Sequence, residues 1–233
     1  MRMFILLVCA ILSCSCAAWA GIAHHPEVIV ARSSSVIVNL GCGGTVISQG
    51  ILTAAHCVNT KNPNGPLDRA IGEIVQTRDN GPKFIVKALK VDRGLDLALL
   101  ALPSGVFIVS AFVAMQAPQV GDDLWFIGYP YTNFDAVGKA YLSEIDENAS
   151  FNGCVQSDLG RNPHEIYGLG GERISPGNSG GGLFDEDGKL VGVVVGHSLN
   201  QECGAAEEGV TPIQLWGLAV GYNTLVAFLT PGG

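Results

Sequence analysis

A chain of 233 residues that is 48% hydrophobic and only 15% charged can bury a sizeable core as one or two domains. Its 31 glycines favour a turn-rich all-β protein over a helical one. The formal net charge of −8 argues against nucleic acid or an anionic membrane as the main partner.

The chain opens on what reads as a signal peptide over residues 1–20. Arg2 is the basic start, 4–12 the apolar centre, and Ala18-Trp19-Ala20 a small-x-small cleavage site before Gly21. The apolar run is far shorter than the roughly 20 residues needed to span a bilayer. The expectation is therefore a secreted or periplasmic protein without stable membrane insertion. Residues 21–105 read as a run of short strands near 28–30, 36–40, 45–47, 51–53, 71–76, 84–91 and 97–102, enough for a six-stranded barrel. Ser48-Gln49-Gly50 and Asn80-Gly81-Pro82 supply turns, and 59–69 a turn-rich loop. Residues 106–119 read as a connector, although 106–114 is too apolar for a solvated linker and is expected to pack on or between two barrels. The second half, 120–233, offers strands near 124–127, 137–142, 150–156, 181–184 and 190–195, with Asp187-Gly188 as a hairpin signal between the last two. Residues 158–172 form a polar, Gly-rich approach to the segment around Ser179, read either as a loop that shapes or gates a pocket or as a plain flexible insertion, and 211–229 reads as a C-terminal helix.

Three stretches carry chemistry. In 174–183 (ISPGNSGGGL) a serine is flanked by glycines and preceded by proline, poor material for a helix or strand interior. Glycine lets backbone N–H groups turn toward one point, and a hydroxyl beside such donors is what acyl transfer requires. Leu52-Thr53-Ala54-Ala55-His56-Cys57 ends an apolar run on the side chain best suited to take a proton from serine near neutral pH. Leu95-Asp96-Leu97-Ala98-Leu99-Leu100 puts one carboxylate at the mouth of an apolar strand, where it could accept the second imidazole N–H. Each alone is common; the order His, Asp, Ser in three such frames is not.

At these segments (TAAHC, DLALL and GNSGG) the chain resembles the chymotrypsin-like, or trypsin-like, serine proteases. ISPGNSGG and Val120-Gly121-Asp122 with Ile127-Gly128-Tyr129-Pro130 make it most similar to the Deg/HtrA-type branch. The resemblance covers roughly residues 36–200. It implies an all-β fold of two six-stranded antiparallel barrels with a short C-terminal helix, and no room after that helix for the PDZ domain many Deg-type proteases carry. It also implies a triad of His56, Asp96 and Ser179, an oxyanion hole from the N–H groups of Gly177 and Ser179, and protein or peptide substrates. Arg173, at the position of the pocket base in the family, makes cleavage after Lys or Arg improbable. Val194, Val195, Gly196 and His197 are the expected pocket wall, with small aliphatic side chains slightly favoured over acidic ones. Asn178 stands where clip-activated members carry Asp, which implies no clip-activated precursor.

Four cysteines come after the leader, an even count that suggests two disulfides in an exported protein. The resemblance supports Cys42 with Cys57, bracketing His56, and leaves Cys154 with Cys203. No C-x-x-C or H-x₃-H spacing occurs, so no metal is expected. Gly168-Leu169-Gly170-Gly171 lacks the flanks of a dinucleotide fingerprint, and no cofactor is expected. A barrel that binds proteins without catalysis, as a chaperone does, and an esterase of small acyl substrates are the competing readings.

Overall fold

The computed structural model describes residues 26–39, 41–58, 72–77, 81–130, 136–146, 165–172, 174–197 and 217–231. The stretch expected as a leader, the loop at 59–69, the strand expected at 150–156, Arg173, Cys154 and Cys203 lie outside the described residues, as does the side chain of His197.

In the first half seven strands form one antiparallel sheet: β1 (Ser35–Val38), β2 (Cys42–Ile47), β3 (Gly50–Ala54), β4 (Glu73–Thr77), β5 (Lys83–Val86), β6 (Ala88–Asp92) and β7 (Leu97–Leu100). Their order is β5-β4-β1-β2-β3-β7-β6. The two end strands are successive pieces of a single run, the one expected as a strand over 84–91. It bends at Lys87, pairing with β4 before the bend and with β7 after it. Six runs of chain thus wrap one apolar interior of Val36, Val38, Val46, Ile51, Val75 and Leu100.

The second half is a closed barrel of β8 (Asp123–Gly128), β9 (Ala136–Asp146), β10 (Ile166–Gly171), β11 (Gly182–Phe184), β12 (Leu190–His197) and β13 (Gly217–Val220), in the order β10-β13-β12-β11-β8-β9. Closure leaves no exposed sheet edge. The hairpin expected at Asp187-Gly188 is present: Asp185 Oδ1 accepts from the N–H groups of Asp187 and Lys189 at 3.0 and 2.8 Å. Leu124, Leu142, Tyr167, Leu169, Leu183 and Val194 fill this barrel. A third cluster, with Ile47, Leu52 and Leu97 from the first half against Ile127, Phe184 and Leu190 from the second, fuses the two. Each fully buried aliphatic or aromatic side chain contributes about 1.5–3 kcal/mol.

Three expectations need correction. Residues 28–30 are not a strand but part of helix α1, Pro26–Ser33. Proline at the first helical position has no N–H to leave unpaired, and the hydroxyls of Ser34 and Ser35 donate to the Ala31 carbonyl at 2.8 and 3.0 Å. Val28 and Ala31, three apart, form the buried face; so short an apolar run has no period to tell helix from strand. Of the approach at 158–172, residues 166–171 are β10, a buried barrel strand. Its Gly170 makes room for the Tyr141 ring of β9. Of the helix expected over 211–229, only α2 (Tyr222–Leu229) is helical, because 217–220 pairs as β13 with β10 and β12.

The start of α2 is held from afar. Glu165, at the foot of β10, accepts from Asn223 N–H at 3.0 Å, one of the helix's first backbone donors, and from the Asn223 side-chain Nδ2 at 2.7 Å, and its charge complements the dipole. At its other end Lys90 of β6 donates to the Phe228 carbonyl at 2.8 Å, so the helix of the second half is pinned to the first. The stretch between barrels packs on both, as its composition implies. Ala111 N–H donates to Val46 of β2 at 2.8 Å, and Leu190 of β12 donates to Phe112 and accepts from Ala114 at 2.7 and 2.9 Å. Among the described residues no helix is long and apolar enough to cross a membrane.

Candidate active site

The pairing of β3 with β7 sets Ala54 opposite Leu97. The chain leaving β3 and the chain entering β7 therefore lie side by side, with Ala55 and His56 on one and Asp96 on the other. After the fully buried β3, residues Ala55–Cys57 make a single 3₁₀ turn that buries Ala55 and Cys57 and lifts His56 into solvent, its side chain 43% exposed. The Cys42–Cys57 disulfide, with Cα atoms 6.0 Å apart, ties the end of this turn back to β2. Its closed loop spans a sequence separation of 15, for which chain entropy gives about 3 kcal/mol. Cys42, Cys57 and His56 are the group of potential metal ligands among the described residues. With both sulfurs in a disulfide, neither is the thiolate a zinc site needs.

Asp96 sits in the left-handed region, φ +52°, a conformation Asp tolerates better than most residues. The turn before it is set by Leu95 N–H donating to Asp92 Oδ1 at 3.0 Å. From that backbone Asp96 grips the histidine turn at three points. Its carbonyl accepts Ala55 N–H at 3.0 Å, Oδ1 accepts His56 N–H at 2.8 Å, and Oδ2 faces Nδ1 at 2.8 Å. With Nδ1–H donated to the carboxylate, the lone pair lies on Nε2, the atom that can take a proton from a nucleophile. Asn39, another left-handed residue, steadies the turn from behind by donating from Nδ2 to the Cys57 carbonyl at 2.7 Å.

The serine loop is held almost wholly by main chain. Asn178 N–H donates to Ser175 at 3.0 Å, Tyr129 to Gly177 at 3.1 Å, Gly180 to Val194 at 2.7 Å and Gly181 to Asn178 at 2.9 Å. Gly43 N–H of β2 reaches across and donates to the Ser179 carbonyl at 2.7 Å. That oxygen also lies 3.8 Å from Cys57 Sγ, a packing contact since a disulfide sulfur has no hydrogen to donate. The residue after His56 thus touches the main chain of Ser179. The N–H groups of Gly177 and Ser179 have no acceptor among the described residues. Gly177 and Gly180 have φ +101° and +79°. A Cβ on Gly180 would strike the Gly43 carbonyl and Thr53 Oγ1, and one on Gly177 the Tyr129 carbonyl.

The expected pocket wall is mixed. Val194 is fully buried inside the second barrel, where it anchors the serine loop through its main chain, while Val195 and Gly196 are half-buried. Asn178 is also buried, packed on Gly128, and its Oδ1 has no donor among the described residues. Sequence reading overlooked Gly43, Thr53 and Asn39. The Cys42-Gly43-Gly44 run was the available signal for the first; for Thr53, which donates to Gly43 O at 2.7 Å, and for Asn39 there was none, since their partners are remote in sequence.

This double-barrel frame, with a carboxylate-held histidine beside a glycine-rich serine loop, is that of a chymotrypsin-like peptidase, and the profile of the trypsin-like peptidase domain matches residues 41–193. The chain belongs to that family. Among named relatives it is 29% identical over 156 residues to the serine endoprotease DegS of Haemophilus influenzae, covering 66% of this chain and 41% of that protein. It is 30% identical over 149 residues to Protease Do-like 2, chloroplastic, of Arabidopsis thaliana, covering 61% and 21%. The chain spans less than half the length of these relatives. In fold it is similar to the active form of the Rv3671c protease from M. tuberculosis, with TM-score 0.65 and 20% identity over 89% of this chain and 84% of that one. A serine endoprotease from Yersinia pestis gives 0.62 and 21%, over 86% and 63%.

Proposed function

We propose that the chain is an exported serine endopeptidase that hydrolyses peptide bonds through Ser179, His56 and Asp96. The observation that carries this reading is the three-point hold of Asp96 on the His56 turn, which selects the imidazole tautomer that carries its lone pair on Nε2. In the first step Ser179 Oγ attacks the scissile carbonyl as Nε2 takes its proton. The developing oxyanion is received by the N–H groups of Gly177 and Ser179, which have no competing acceptor among the described residues. The imidazolium, stabilised by Asp96, then gives its proton to the leaving amine, and an acyl group stays on Ser179 until water, activated by the same Nε2, removes it.

For specificity, Val195 and Gly196 remain as wall and favour a small aliphatic side chain, while Arg173 disfavours Lys and Arg. Asn178 is uncharged and buried, so it cannot hold a freed N-terminal ammonium as a carboxylate would, and no activating clip is required. Export fits the leader-like N-terminus and the similarity to a probable periplasmic DegP-like endoprotease of Chlamydia muridarum, 28% identical over 126 residues.

The test is a fluorophosphonate probe on the unclipped chain, with mass mapping of the modified residue. Label on Ser179, and a loss of about 10⁶-fold in kcat for peptide hydrolysis in Ser179→Ala, are the expected results. Hydrolysis that survives Ser179→Ala, or label only after proteolysis, overturns the corresponding part of the reading.

A further inference from the structure

The stretch between the barrels presents a surface the peptidase reading does not use. Over 106–110 its side chains alternate: Val106, Ile108 and Ser110 are half-buried, Phe107 and Val109 face solvent. Phe112 and Met115 continue the outward strip, and Phe107, Phe112 and Met115 are 106%, 76% and 92% exposed. Bulky apolar side chains lined up in solvent mark an interaction surface. Their backbone is open as well. Among the described residues the peptide groups from Phe107 to Ser110 make no hydrogen bond, so the run is an extended edge with free donors and acceptors, the template for strand addition.

What the edge would accept is indicated by its neighbour. The hydrogen bonds of Phe112 and Ala114 to Leu190 bring the strip against the β11–β12 turn. There an open cavity of about 260 Å³ is lined by Gln116 and Pro118, just beyond Met115, and by acidic side chains from two elements. Asp123 and Asp187 are each paired with a lysine, Lys139 at 2.6 Å and Lys189 at 2.8 Å. Asp122 and Glu186 have no cationic partner among the described residues, and Asp185 acts on Lys189 only from beyond ion-pair distance. We propose that this face is a docking site, distinct from the catalytic cleft, for a cationic and partly apolar peptide segment. The segment adds a strand along 107–110, covers Phe107, Val109, Phe112 and Met115, and places a Lys or Arg in the acidic cavity. Charge disfavours the obvious rivals: a second copy would bring this acidic cavity's like charges into the contact, and an anionic bilayer would do the same.

The test uses the Ser179→Ala form of the 233-residue chain, which on the peptidase reading cannot consume the probe, and a fluorescein-labelled peptide of alternating leucine and lysine, monitored by anisotropy. Saturable binding that weakens with salt is expected, with none for the leucine–glutamate counterpart. Phe112→Ser and Glu186→Lys, both at exposed positions, should each weaken it about tenfold or more while leaving the melting temperature unchanged. Equal binding of the two peptides, or binding indifferent to both substitutions, overturns the proposal. So does Phe112-dependent binding to phosphatidylcholine vesicles or Phe112-dependent dimerisation in sedimentation, either of which names another occupant. Fluorophosphonate labelling of Ser179 in the Phe112→Ser variant of the active chain separates failure here from failure of the peptidase reading.

Discussion

The two halves of the molecule hold their shares of the site by opposite means. In the first, side chains do the holding: Asp96 grips the histidine turn, Asn39 bonds the Cys57 carbonyl, and Thr53 fixes Gly43. In the second, the serine loop is held by main chain on main chain, and glycine is needed where another backbone comes close. The histidine turn is thus sensitive to removing side-chain atoms, whereas the serine loop, and the Gly43 that faces it from the first half, are sensitive to adding them.

The strongest way to break this contrast is Asp96→Asn. An amide cannot enforce the Nδ1–H tautomer, and kcat is expected to fall about 10⁴-fold with the fold intact. Steady-state kinetics with a melting curve decides it; a loss below about tenfold would show that Asp96 does not orient the base. Next comes an addition in the second half. Gly177→Ala brings a Cβ against the Tyr129 carbonyl at φ +101° and displaces the N–H proposed as an oxyanion donor. A fall of about 10²–10³ in kcat, with KM little changed, is expected, and an unchanged kcat would remove Gly177 from the hole.

Asn39→Ala sharpens the comparison by separating stability from chemistry. It leaves the Cys57 carbonyl and the Ile74 N–H without their partners at 2.7 and 2.9 Å. Urea unfolding should show a loss of about 1–3 kcal/mol, and a kcat loss as large as that of Asp96→Asn would contradict a supporting role. The smallest effect belongs to Tyr167 of β10, whose phenol accepts Tyr222 N–H at 3.0 Å. Burial raises its pKa above the ordinary 10.0. The folded chain then keeps a proton that the unfolded chain releases, so this contribution is whole below pH 10 and is lost as pH rises above it. Tyr167→Phe should cost about 1 kcal/mol at neutral pH, from the lost acceptor, and flatten the decline of stability above pH 10. A decline as steep as in the parent chain would assign alkaline unfolding to other groups.

Legibility tracked the range of the interactions involved. The hairpin at Asp187-Gly188 was readable because its hydrogen bonds close within five residues, from Asp185 to Lys189. The strand over 84–91 was readable as a run but not as a bent one, because the bend at Lys87 exists to reach two different partners, β4 and β7. The helix at 26–33 and the strand at 217–220 were misassigned for a related reason. Both are short apolar runs whose state is settled by what they pack against, β10 and β12 for 217–220 and the core around Ala31 for 26–33. The three motif segments stood out because each needs an unusual residue in an unusual local frame. That Val194 is buried, while its main chain anchors the serine loop, was visible nowhere in the residue order.

From the residues alone came the chemical parts: an imidazole at 56, a carboxylate at 96, a hydroxyl at 179, the glycines around it, and the all-β character. Tertiary structure decided their relations. The Ala54–Leu97 register lays Asp96 beside His56, and the reach of Gly43 to Ser179 sets the serine loop against the disulfide next to that histidine. The division has a plain cause: a residue's chemistry is local to its side chain, whereas a β-sheet's contacts join segments distant in sequence, and only the folding of the first sheet and its packing on the closed second barrel bring them together.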